Sequence, residues 1–224
     1  MSWSAFALAF MAFFVTHTIP VRPKVKASLQ DVLGARGFTT AYSALSLFML
    51  GLLIAAAQNA PFVELWPQTG WQRYVVLVGM FPVCLVAAFA IGRPNPFSFG
   101  GANNNGYDPA RPGIVRLTRH PLLLALALWA GLHLLPNGDV AHVIMFGVFL
   151  GFALLGRWII DKRKKRQMGP AVWHALKAET VQAPLVAPAG SRKVFLFRAL
   201  AASGAFLILL MLHQPVIGAY PLPV

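Results

Sequence analysis

Six runs of the chain, near residues 3–19, 39–58, 74–92, 114–135, 140–160 and 194–213, carry almost no charge. Each is close to the roughly twenty apolar residues that a helix needs to cross a bilayer. Six such runs in 224 residues leave little else to fold. Only 11% of residues are charged and 58% are apolar, whereas about a quarter of a soluble domain is charged. The expectation is therefore all-α: an integral membrane bundle of about six transmembrane helices, a single domain over residues 1–224, with the lipid bilayer as its constant partner. No Lys or Arg precedes the first run, and Pro20-Val21-Arg22-Pro23 follows it. A signal peptide has a charged start and a small-residue cleavage site, so this run is read as a retained helix.

Lys and Arg number 19 against 6 Asp and Glu, a net charge of +13. In a soluble protein that excess would point to nucleic acid. Here it lies between the apolar runs and follows topology, so no nucleic-acid partner is expected. Arg22, Lys24, Lys26 and Arg36 fall in 20–38; Arg93, Arg111, Arg116 and Arg119 in 93–119; Arg157, the Lys162 to Arg166 run, Lys177, Arg192 and Lys193 in 157–193. The alternate connections hold little beyond Glu64, Arg73 and Asp139. By the positive-inside rule the basic loops are cytoplasmic, and both termini lie in the periplasm of a bacterial inner membrane.

The run Asp161-Lys-Arg-Lys-Lys-Arg166 follows a span directly and reads as its stop-transfer flank. Met168, Val172 and Leu176 then recur at helical spacing with Lys177 opposite. That pattern predicts a short interfacial helix on the cytoplasmic surface, followed by a linker marked by Pro184, Pro188 and Gly190. Residues 97–106 are turn-rich and polar and are expected as a mobile loop at the headgroups. The lone Cys84 excludes an intrachain disulfide.

Imidazole is the side chain most used to hold metals and haem iron, and a histidine inside a membrane run is a functional candidate by default. His17 and His120 fall near the inner ends of the first and fourth runs. His133 follows His120 by thirteen residues, about 20 Å along a straight helix, and so sits at the outer level with His142 and His213; His174 lies in an inner loop. Each is also within about a turn of an interface, so the competing reading is that they only mark helix ends. A bis-histidine haem needs two imidazoles at one depth. Depth allows His17 with His120, or His133 with His142 or His213, but not His17 with His133 along straight helices.

Arg116, Arg119 and His120 recur at i, i+3 and i+4, which puts them on one helix face as a cationic clamp for an anionic group; the competing reading is topological flanking. No Gly-x-Ser-x-Gly, His-Glu-x-x-His or pair of acids inside a run is present, so hydrolase and zinc-protease chemistry has no candidate motif.

Thr16-His17-Thr18, Tyr42-Ser43, Arg119-His120-Pro121, Leu128-Trp129-Ala130-Gly131-Leu132-His133 and Asn137-Gly138 together resemble the NnrU family of bacterial membrane proteins, whose plant and cyanobacterial relative is zeta-carotene isomerase. The resemblance spans nearly the whole chain and is densest over 113–161. It implies a context of denitrification, in which the protein serves nitrite and nitric oxide reduction as an accessory or sensor beside nitrogen-oxide respiratory proteins; it names no reaction, so enzyme status stays open. The isomerase relative carries haem b through a histidine of its first helix and one after the Arg-His-Pro motif. By position those are His17 and His133, the iron ligands that the resemblance implies, with His120 a further cofactor candidate by depth. Two departures are Ala130, where the isomerase has cysteine, and the depth separation of His17 from His133. An isomerase acting on an apolar polyene is the alternative function. More distantly, Arg119-His120-Pro121 resembles the motif of isoprenylcysteine-type methyltransferases, but the basic segment from Lys162 to Ala178 lacks their paired glutamates.

Overall fold

The computed structural model describes residues 1–185 and 190–222; Pro188, expected in the last linker, lies outside them. Every regular element among them is helical, as the apolar runs require: α1 (Trp3–Thr18), α2 (Pro23–Gln58), α3 (Gly70–Ala90), α4 (Pro121–Leu134), α5 (Val140–Met168), α6 (Pro170–Gln182) and α7 (Arg192–Leu212). Short 3-10 turns occupy Asn104–Gly106 and Gly113–Arg116, and a π-helical turn, His213–Ile217, continues α7. Four helices are long and apolar enough to cross a membrane: α2, α3, α5 and α7 with its continuation. α1 and α4 are apolar but shorter. Leu47, Val78, Phe197 and Leu200 are 71–72% exposed, an arrangement suited to lipid and not to water.

The chain divides into two compact units, Met1–Trp66 with Asp139–Met145, and Pro67–Gly138 with Phe146–Val224. In the first, α1 packs on α2. Ser2 caps α1 by accepting from the Ala5 amide, and Phe6, Phe10 and Phe13 are its buried residues. α2 begins far earlier than the apolar run at 39. Residues 23–33 contain no internal glycine or proline, Pro23 sits where a missing N–H is harmless, and so the basic segment is itself helical. Gly34, at φ 71°, then turns the axis, in a backbone conformation that glycine adopts without penalty.

In the second unit α3 packs against both α4 and α7. A Cβ on Gly79 would lie 2.6 Å from a Leu132 methyl, so the small residue sets how closely α3 and α4 approach. α4 and α5 join through Leu123, Ala153 and Ile160. α4 starts at Pro121 and not near 114. Proline disfavours helical backbone in the residue before it, and His120 duly stands at φ −122°, ψ 63°. At its other end α5 runs on to Met168, so the basic run after Asp161 is helical. The residues expected to form a short helix do so as α6, but its packed face is Trp173, Leu176 and Thr180 rather than Val172, which is exposed.

Candidate functional site

The N-terminal end of α4 carries a closed polar network. His120 is 3% exposed, and both of its ring nitrogens are engaged: Nε2 lies 3.0 Å from Asp161 Oδ1 and Nδ1 lies 3.1 Å from Ser98 Oγ. A carboxylate only accepts, so Nε2 carries the proton, and in the neutral ring Nδ1 then accepts from the serine hydroxyl. Arg119 donates to the same carboxylate, Nη2 to Oδ2 at 2.7 Å and Nε to Oδ1 at 3.4 Å. One carboxylate thus neutralises the guanidinium and orients the imidazole. Ser98, His120 and Asp161 have the connectivity of a hydrolytic triad. Ser98, however, is 2% exposed, so its hydroxyl is not open to a substrate.

The loop after α3 delivers Ser98. Asn95 Nδ2 donates to the Arg119 carbonyl at 3.0 Å, and Asn95 Oδ1 accepts from the Phe97 amide. Asn104 Oδ1 accepts from the Asn95 amide at 2.9 Å, and Gly92 donates to the Gly100 carbonyl. Phe97 is fully buried against Val115 and Trp173. This segment, expected as a mobile loop at the headgroups, is therefore a packed wall of the network. Gly100 stands at φ +78°, and a Cβ there would lie 2.1 Å from a Leu122 methyl.

α6 covers the same region. The Trp173 ring receives Arg119, Lys165 and Lys177 at 5.6, 5.9 and 5.3 Å, within the reach of cation–π attraction. Thr180 gives its proton to the Leu176 carbonyl, so the Tyr107 hydroxyl donates to Thr180, at 2.9 Å. Burial pushes the Tyr107 phenol pKa up. Arg116 donates through Nε to the Ala183 carbonyl at 2.8 Å.

The other end of α4 is different in kind. His133 Nδ1 donates to the Trp129 carbonyl at 2.8 Å, its ring lies against Trp129 and Phe146 at 5.4 and 5.3 Å, and Asn137 ties down its carbonyl. Nε2 has no hydrogen-bond partner among the described residues. His213, at the start of the π-helical turn, repeats the pattern by donating from Nδ1 to the Ala219 carbonyl at 2.8 Å. Both histidines line one cavity of about 240 Å³ together with Arg73, Leu77, Met80 and Tyr220. A ring whose Nδ1–H is held by a carbonyl presents the Nε2 lone pair, which is the form that ligates metal.

A family model described as NnrU protein matches residues 5–221. The chain belongs to the NnrU family. Neither the comparison with curated proteins nor that with solved structures gives a match.

Within this NnrU-family chain the anticipated residues are dispersed. Arg116, Arg119 and His120 do not share a helix face, because the helix begins only at Pro121. Arg119 and His120 meet on Asp161, while Arg116 turns to Ala183. His17 belongs to the first unit, where Nδ1 donates to the Phe13 carbonyl at 2.8 Å and the ring stacks on Phe13 at 3.9 Å. His17 and His133 thus share one local device, a backbone carbonyl four residues earlier on an aromatic residue. His142 Nδ1 pairs with Asp139 at 2.7 Å, and His174 is exposed beside Trp173. Among the described residues no three His, Cys, Asp or Glu side chains gather as a metal-ion set.

Sequence reasoning missed Asn95, Ser98, Asp161 and Trp173. Asp161 alone left a signal: a single acid at the end of an apolar run, ahead of five consecutive cations, has reason to face inward.

Proposed function

We propose that this chain is a six-span inner-membrane protein of denitrification that holds haem b through His133 and serves nitrite and nitric oxide reduction as an accessory or sensor. On this reading α1 and α4 complete the six spans, the basic loops face the cytoplasm, both termini face the periplasm, and α6 lies along the inner surface. One observation carries the haem: the Nε2 of His133 is left open in a cavity while its Nδ1 is fixed. The respiratory context comes from the family resemblance.

The donor set fits. His133 and His213 offer two Nε2 lone pairs to one cavity, and Arg73 supplies a cation there for a carboxylate. The cavity, at about 240 Å³, is below the roughly 300–1,000 Å³ of ordinary ligand sites, so a haem ligated there would need the surrounding side chains to open. Bound haem, with both axial positions taken by histidine, would supply redox chemistry. The chain's own part is to orient imidazole and exclude water through Trp129, Phe146 and Leu77. His17 is the second ligand by the family pairing; His213 is favoured by the cavity it shares with His133. His120, with both nitrogens engaged, serves in the network at the other end.

The test is the visible spectrum of protein purified after haem-replete expression. A Soret band is expected, abolished or shifted in His133→Ala and retained in His120→Ala. Loss in His17→Ala with a normal His213→Ala assigns the second ligand to His17, and the converse assigns it to His213. A wild-type protein without a Soret band overturns the haem. Reporter fusions at Val63 and Asn137 should report periplasm, and fusions at Gly34 and Lys165 cytoplasm; reversal at two of these overturns the orientation.

A further inference from the structure

A second cavity, of about 440 Å³, opens between α3, the 3-10 turn at Gly113–Arg116 and the start of α7. Its volume falls within the range of ligand sites. Leu85, Phe89, Ile114 and Phe195 make its wall apolar, and among the described residues Arg93 and Arg198 are the only charged side chains that line it.

The two arginines are in different states. Arg198 donates through Nη1 to the carbonyls of Ala88 and Ile91, at the end of α3 where helix carbonyls lack intrahelical partners. Arg93 has no carboxylate or hydrogen-bond acceptor for its guanidinium among the described residues, although it is only partly exposed and close enough to Arg198 for the two to repel. The N-terminus of α7 adds the positive end of its dipole at Ser191, another lining residue. Two partly buried, mutually repelling cations lining an apolar chamber are complementary to a molecule with an anionic head and a hydrocarbon tail. In a membrane protein the abundant species of that kind is an anionic phospholipid, and basic pockets between spanning helices are recurrent sites for such headgroups.

We propose that this cavity binds one anionic phospholipid of the surrounding bilayer, its phosphate held by Arg93 and Arg198 and an acyl chain lying along Leu85, Phe89 and Phe195. The site is separate from the histidine cavity and does not depend on haem. Full-length protein in detergent, titrated with phosphatidylglycerol or phosphatidylcholine and followed by native mass spectrometry, tests it. One phosphatidylglycerol per chain should be retained at least tenfold more tightly than phosphatidylcholine, and Arg93→Gln should remove that preference. Lys162→Gln, in the exposed basic run, should leave it unchanged. Ala199→Phe, which fills the chamber without altering charge, should weaken retention of both lipids and guards against a misfolded Arg93 variant. Equal retention of the two lipids by the wild type would overturn the anionic head. Displacement by millimolar inorganic phosphate would overturn the tail and leave a free-anion site. Wild-type behaviour of both Arg93→Gln and Ala199→Phe would overturn the location.

Discussion

The two ends of α4 use histidine in opposite ways. At His120 both ring nitrogens are answered: carboxylate, guanidinium, hydroxyl and imidazole close on one another. At His133, about 20 Å further along the helix, the ring is gripped just as firmly but one nitrogen is left over. Rigidity is common to both, and what separates them is whether valence remains. A saturated site holds the fold together, and a rigid unsaturated one is, on the haem reading, the place for a ligand.

The sharpest way to break this contrast is Asp161→Ala. It leaves a buried imidazole and a half-buried guanidinium without their shared acceptor. Removing one partner of a fully buried pair costs about 3–5 kcal/mol; with the Arg119 and Asp161 side chains 31% and 20% exposed, solvent screening reduces this to about 2–3 kcal/mol. Thermal unfolding in detergent should show that loss, and His120→Ala made in the Asp161→Ala background should add little. Additive losses would mean that no network exists.

Gly100→Ala should follow, at about 1–3 kcal/mol for a side chain forced into a left-handed conformation, aggravated by Leu122. It acts on the saturated end alone, so the His133 end should keep any ligand spectrum. A ligand lost along with stability would show that the two ends are one site.

His133→Gln should be nearly silent in stability, within about 1 kcal/mol, because the ring serves its neighbours through packing and one carbonyl bond. A penalty as large as that of Asp161→Ala would make His133 a structural residue like His120.

The smallest effect is alkaline. The raised pKa of the Tyr107 phenol means that its contribution is complete below about pH 10 and is lost as pH rises through the raised value. Tyr107→Phe should blunt the decline in unfolding temperature above that pH. An unchanged alkaline profile would show that the phenol is not held neutral by its burial.

The contrast was half legible beforehand. Apolar runs located the four helices long and apolar enough to cross a membrane among the described residues, because length and lack of charge are properties of contiguous residues. Arg-His-Pro also contained its own helix start, since proline constrains the residue before it; treating Arg116, Arg119 and His120 as a helical triplet overlooked that constraint. The charge of the basic stretch at 23–33 suggests a connection, whereas lysine and alanine are good helix formers and the stretch is helical. Ser98 and Asp161 meet His120 across 22 and 41 residues, and no spacing rule reaches that far. The polarity of residues 97–106 pointed outward only until Asn95 and Asn104 were seen to bond the loop to itself and to Arg119.

α4 has 14 residues, a rise of about 21 Å, against a hydrocarbon core of about 30 Å. On the six-span reading, about 9 Å of that thickness falls to the non-helical stretch before Pro121, and irregular backbone survives at such depth only when protein or trapped water covers it. The Asn95 amide on the Arg119 carbonyl and the Thr118 hydroxyl on the His120 amide provide that cover. On that same reading the short helix is a built-in hydrophobic mismatch on one side of the second unit, which would tie the integrity of the polar network to the thickness of the bilayer around it.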